Sequence, residues 1–181
     1  MRETIRALLK AFPPQEEERV REKAERGYRE QNRILEEIRN NCAAACKASY
    51  KLQEAGETYA NLLLEDTYAN GLCYGILLGM TAADGAETSD AVLHRIFRGE
   101  TFFERPRITG TDHKAAENMF DFWMRELEKE LGQEQKKLSE DFYDCFFAIC
   151  YNREESYAAA GMRRGISIGL AVGNLQKNLQ K

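Results

Sequence analysis

With 181 residues, 43% apolar and 31% charged, and with 3 Pro and 13 Gly, the chain has material for one compact domain burying roughly 70% of its unfolded surface, which excludes collagen-like, low-complexity and repeat-array architectures. Twenty-six basic residues against 30 acidic ones leave a formal charge of −4, which excludes a protein that grips nucleic-acid phosphates over its whole surface but leaves room for a local basic patch. The segment MRETIRALLKAFPP has charges where an export signal needs a continuous apolar stretch, and the longest weakly polar run, residues 71–83, falls short of the about 20 residues a bilayer requires, so a cytoplasmic protein without a membrane span is expected.

Ile5, Leu8, Leu9 and Phe12 recur at helical spacing and predict a short first helix ended by Pro13-Pro14. From Gln15 to about Gln53 proline is absent and Glu, Arg, Lys, Gln and Ala dominate, which predicts one long helix. Within it Tyr28, Gln31, Leu35, Ile38, Cys42, Ala45, Ser49 and Leu52 follow steps of three and four, a coiled-coil seam that begins bulky and ends small. Gly56 predicts a break or kink, followed by a helix from about Glu57 to Ala83 that stops at Asp84-Gly85. Thr88-Ser89-Asp90 offers N-cap chemistry to a short helix reaching Arg98, ended by Gly99, and residues 99–110 form the main connection. Asp112 is placed to cap a helix whose apolar face holds Ala116, Met119, Phe120, Trp123 and Leu127, with Gly132 as a candidate interruption. Leu138, Phe142, Cys145, Phe146 and Ile149 carry the period into a last helix ending near Gly173-Asn174. No segment alternates as a strand would, so the expected fold is an all-α bundle of long helices, one domain over 1–181 with pseudo-halves of about 1–98 and 111–181 linked by 99–110.

A partial duplication is the strongest internal signal. Gly71, Gly75 and Gly79 recur ninety residues later as Gly161, Gly165 and Gly169, in both cases at every fourth position after a Tyr-Ala pair. Each glycine costs a helix roughly 1 kcal/mol relative to alanine, and close helix contact supplies the compensation. Between Leu52 and Asp90 there are seven acids and no Lys or Arg, while from Ser156 to Lys181 there are four bases and no acid. The two strips are therefore expected to pack against each other as an acidic rod on a basic one, in a pseudo-two-fold arrangement.

Catalytic signatures are missing: no nucleophile elbow, P-loop, dinucleotide fingerprint or zinc-protease spacing occurs, so no enzyme activity, metal or cofactor is expected. The two histidines each have a carboxylate four residues away on a helix, Asp90 with His94 and His113 with Glu117, the spacing of surface ion pairs. Cys42, Cys46, Cys73, Cys145 and Cys150 are odd in number and lack zinc-knuckle spacing, which reads as reduced, small buried hydrophobes. Two stretches are candidates for recognition. Arg95, Arg98, Arg105 and Arg107 interleave with Phe102 and Phe103, a composition that contacts phosphates and stacks on bases, anchors a protein, or covers the core as a solvated linker. Glu126, Glu130, Glu134, Glu140, Asp141 and Asp144 belong to a run in which 11 acids face five bases between Ala116 and Glu155, either a solubilising face or an acidic surface for a cationic partner.

At the glycine-strip helices, over Glu65 to Met80 and more loosely Glu155 to Val172, the chain resembles small helical proteins of Firmicutes and their phages. In size, acidity and lack of catalytic motifs it is similar to the Cas9-inhibiting anti-CRISPR proteins. That resemblance implies a non-catalytic, protein-binding inhibitor that occupies basic nuclease surfaces or locks nuclease domains, with a Cas9–guide RNA complex as partner. The alternatives are a nucleic-acid-binding regulator using residues 95–114 and a structural helical module, with a homodimer as a further partner state.

Overall fold

The computed structural model describes residues 2–84 and 111–179. Five α-helices dominate the described residues, which are 92% helical and contain no strand. They are α1 (Arg2–Ala11), α2 (Glu18–Asn41), α3 (Cys46–Asp84), α4 (Thr111–Glu130) and α5 (Lys136–Leu179), with a 3₁₀ turn at Gln133–Gln135 before the last. The fold is an all-α helical bundle. The expected short helix reaching Arg98 and the connection at 99–110 lie outside the described residues.

Three helix boundaries differ from expectation. The single helix over Gln15 to Gln53 is two, because Cys42 leaves helical geometry at φ −138°, ψ 93° while its N–H still bonds the Ile38 carbonyl. The small residues Ala43 to Ala45 then turn the chain into α3, and the Arg39 guanidinium closes the hairpin with hydrogen bonds to Ser49 Oγ at 3.0 Å and Gln53 Oε1 at 2.8 Å. Gly56, expected to break or kink the chain, sits inside the continuous α3. Its missing side chain makes room for rings: a Cβ there would lie 3.2 Å from Phe146 and 3.5 Å from Phe120. The last helix runs past Gly173-Asn174 to Leu179. Gly132 does separate helices, with φ −68° and ψ 166° at the entry to the 3₁₀ turn.

The described helices form two compact units. One holds α2, residues 46–64 of α3, α4 and residues 136–155 of α5, and the other holds α1 with residues 65–84 of α3 and 156–179 of α5. Neither coincides with the expected halves 1–98 and 111–181, because α3 and α5 each contribute to both units.

In the four-helix unit the core is built from Ile34, Leu35 and Ile38 of α2, Leu52 and Tyr59 of α3, Phe120 and Leu127 of α4, and Phe142 and Phe146 of α5. Fully burying such side chains contributes roughly 1.5–3 kcal/mol each. Phe120 and Phe146 stack at 4.5 Å, with Tyr59 beside both. Gly27 of α2 lets α5 approach, its absent Cβ standing where Ile149 Cγ1 comes within 2.5 Å. Glu16 and Tyr28 hold Arg153 at the other end of this contact, at 2.8 and 3.1 Å. Of the expected seam, Leu35, Ile38, Ala45, Ser49 and Leu52 are buried, whereas Tyr28 is exposed and Cys42 half-buried. Met119, expected on the apolar face of α4, is 51% exposed.

Candidate functional site

The second unit is organised by its glycines. A Cβ on Gly75 would lie 2.9 Å from Gly165 Cα and 2.8 Å from Ile166 N, and one on Gly165 would lie 2.8 Å from Gly75 Cα. A Cβ on Gly79 would meet Gly169 C at 3.0 Å, one on Gly169 would meet Gly79 Cα at 3.0 Å, one on Gly71 would meet Met162 N at 3.1 Å, and one on Gly161 would meet Leu72 N at 2.9 Å. In every case an opposing carbonyl, of Tyr68, Leu72, Ile76, Ala158, Met162 or Ile166, stands nearer still. The two strips meet backbone to backbone. Both residue numbers rise together along the contact, so α3 and α5 run parallel here with residue n facing n + 90. The six glycines are brought together, and what they build is a helix seam with no space for a ligand.

The charges do not pair as the acidic-rod and basic-rod expectation had it. Glu65 and Asp66 of α3 are held by α1: Arg2 Nη1 lies 3.1 Å from Asp66 Oδ1 and Arg6 Nε 2.7 Å from Glu65 Oε1. Arg164 of α5 instead lies over the Phe12 ring, its Cζ 3.9 Å from the ring centre. A seam of bare backbone leaves no room for side chains between the rods, so each rod's charges sit on its flanks. Around the α1 contact, Ile5, Tyr68, Ala69 and Leu72 form a small core.

The acidic candidates separate into two groups. Glu126 and Glu130 lie on α4, where Glu126 pairs with Lys129 and the Glu130 carbonyl accepts a hydrogen bond from Cys42 Sγ at 3.3 Å. Nothing is described of the Glu134 side chain. Glu140, Asp141 and Asp144 of α5 are exposed, diametrically opposite the buried row Ser139, Phe142 and Phe146 by helical periodicity. The same outward face continues through Tyr151, 77% exposed, to Glu155, also exposed. Glu140, Asp144, Tyr151 and Glu155 follow steps of four, seven and four, which is one stripe on the helix, with Lys137 at its start. No ion pair holds these acids among the described residues. Sequence reading missed Tyr151 because its neighbours Cys150 and Ile149 read as core, although its spacing from Asp144 and Glu155 carries the signal.

The remaining candidates are structural or lie elsewhere. His113 is buried and meets Tyr59 edge-on at 5.4 Å, so it sits in the core rather than on the surface. Burial pushes the Tyr59 hydroxyl up to about 12, with Glu117 adding to the shift. No cluster of His, Cys, Asp and Glu suited to a metal occurs among the described residues. The five cysteines are free, and Cys150 is the one fully buried. Burial raises its thiol to about 11 and also raises that of Cys145, which donates to the Gly27 carbonyl at 3.1 Å. Neither is an activated thiolate. Arg95, Arg98, Phe102, Phe103, Arg105 and Arg107, and the Asp90–His94 pair, lie outside the described residues. Among the described residues no helix is long and apolar enough to cross a membrane. Comparison with known protein families, curated proteins and solved structures finds no match, so the functional reading rests on this geometry.

Proposed function

We propose that the chain is a non-catalytic binding protein that docks the outward face of α5 on a basic surface of a protein partner, and that its concrete form is an anti-CRISPR protein that blocks a Cas9-type nuclease. The stripe Glu140, Asp144, Tyr151 and Glu155 carries this reading. An exposed tyrosine amid carboxylates combines a low-entropy apolar anchor with charges that steer a cationic partner. A CRISPR effector holds its nucleic acid in a positively charged channel, and an acidic helix face is complementary to such a channel. The face is supported from behind by the Phe120–Phe146 stack, which fixes the helix that presents it.

Pull-down with purified Cas9–guide RNA complexes and a DNA-cleavage assay test the proposal. The wild-type chain is expected to be captured and to suppress cleavage, and Glu140→Lys with Asp144→Lys, or Tyr151→Ala, to lose both while melting like the wild type. Full cleavage by several Cas9 orthologues in the presence of excess protein removes the nuclease as partner. Undiminished capture of the charge-reversed variant removes the face.

A further inference from the structure

A cleft of about 480 Å³ opens in the unit that contains α1, between the Phe12-Pro13-Pro14-Gln15 segment and residues Ala160, Arg163, Arg164 and Ser167 of α5. We infer that this cleft binds a phosphate monoester carried on a flat apolar group, a mononucleotide in size and chemistry. Two guanidinium groups line it, and no acid does. Glu65 and Asp66, acids of the same unit, are engaged by Arg2 and Arg6. The lining thus carries two positive charges and no negative one, although the whole chain carries −4.

Arg164 is the more telling of the two. Its guanidinium carbon lies 3.9 Å from the centre of the Phe12 ring, and its buried Nε has no hydrogen-bond partner. A buried donor without an acceptor is a standing penalty that an anionic oxygen relieves. Two guanidiniums favour a dianion over a single carboxylate, and phosphate oxygens match the fork of an arginine. Arg163 is exposed at the rim, where it meets the ligand's charge, and the Ser167 hydroxyl one turn on lines the same wall. Opposite them Phe12, Pro13 and Pro14 form an apolar wall, stiffened because both prolines fix their backbone φ. The volume lies within the range of sites that enclose a small organic ligand.

Titration of the full chain followed by calorimetry and by amide and arginine Nε NMR tests this. The probes are adenosine 5′-monophosphate, adenosine, inorganic phosphate and a 5′-phosphorylated deoxyhexanucleotide. The monophosphate is expected to shift Gln15, Arg163, Ser167 and the Arg164 Nε, to bind at least about tenfold more tightly than adenosine, and to be displaced by inorganic phosphate. Arg163→Glu, at an exposed position that leaves the packing intact, is expected to weaken it by about a hundredfold, and Arg164→Gln by about tenfold. Tighter binding of the mononucleotide than of the hexanucleotide identifies a free metabolite as the source of the phosphate; the reverse order identifies a nucleic-acid end. Equal affinity for adenosine and its monophosphate, an unchanged Arg163→Glu variant, or no shift at these residues with any phosphate probe overturns the inference.

Discussion

Alanine at Gly75 sets two effects of opposite sign against each other. Removing a glycine from the interior of α3 favours the helix by about 1 kcal/mol. The new methyl, however, would stand 2.9 Å from Gly165 Cα and 2.8 Å from Ile166 N, with the Met162 carbonyl closer still. Every atom it meets is backbone, which has no rotamer in which to retreat, so α3 and α5 must move apart along the seam. Overpacking of this kind costs about 1–3 kcal/mol, and a rigid partner places it near the upper end. The net loss is then about 2 kcal/mol, or a fall of about 4–8 °C in melting midpoint for a chain of this size. Gly165→Ala, whose methyl would meet Gly75 Cα at 2.8 Å, should match it. The double variant should lose less than the sum, since the first methyl opens the space that the second needs. Gly132→Ala is the control, because nothing lies within 4 Å of its Cβ position and its φ of −68° suits any residue. Guanidinium denaturation followed by helical circular dichroism reads all four. A Gly75→Ala chain as stable as the wild type, beside an unperturbed Gly132→Ala, refutes the reasoning.

Three further outcomes follow from groups already described. Tyr59 is neutral in the fold up to about pH 12 but ionises near 10 when unfolded, so its contribution is complete below pH 10 and is lost as pH rises to about 12; urea melts across that range should fall more steeply for the wild type than for Tyr59→Phe, and parallel curves would contradict the assignment. Arg2→Ala removes an ion-pair partner of Asp66, whose side chain is 9% exposed, and should cost about 2 kcal/mol, between the surface and buried limits, read as faster hydrogen exchange of α1 amides; unchanged exchange would refute that role. With the Cys150 thiol at about 11, only about a thousandth is thiolate at pH 8, so a disulfide reagent should leave Cys150 unmodified by mass spectrometry until denaturant is added, and rapid modification of the native chain would refute its burial.

The glycine seam was legible because glycine inside a helix is expensive, so three in a row at one spacing signal a backbone contact, and a second such row names the partner. Its electrostatics were not legible. Counting charges along two segments assumes that facing helices meet through side chains, and here they meet through main chain, which left Glu65 and Asp66 to the arginines of α1. Gly56 misled for a related reason. The residue that would have filled its place belongs to Phe120 or Phe146, distant in sequence, and local reading knows glycine only as a breaker. The turn at Cys42 contains neither glycine nor proline, and its surest local sign is Asn40-Asn41, two weak helix formers at the end of α2. On α5 Glu140, Asp141 and Asp144 stood out only as part of an acid-rich run, whereas the cleft beside Arg164 needed Phe12, brought there by the fold alone.

A glycine every fourth residue makes a comb with interchangeable teeth. α5 carries four of them, counting Gly173, and α3 carries three. In the observed position Gly173 is covered by the Ala83 methyl. Sliding α5 by one tooth, about 6 Å, would set Gly165, Gly169 and Gly173 against Gly71, Gly75 and Gly79, again three matched pairs. The shifted alignment is opposed by its flanks, where Thr67 would meet Gly161 and Lys177 would meet Ala83, and by Phe142 and Phe146, which the same continuous helix carries into a packed core. Gly173 is thus a spare tooth, and the register is held by the side chains around the comb rather than by the glycines themselves.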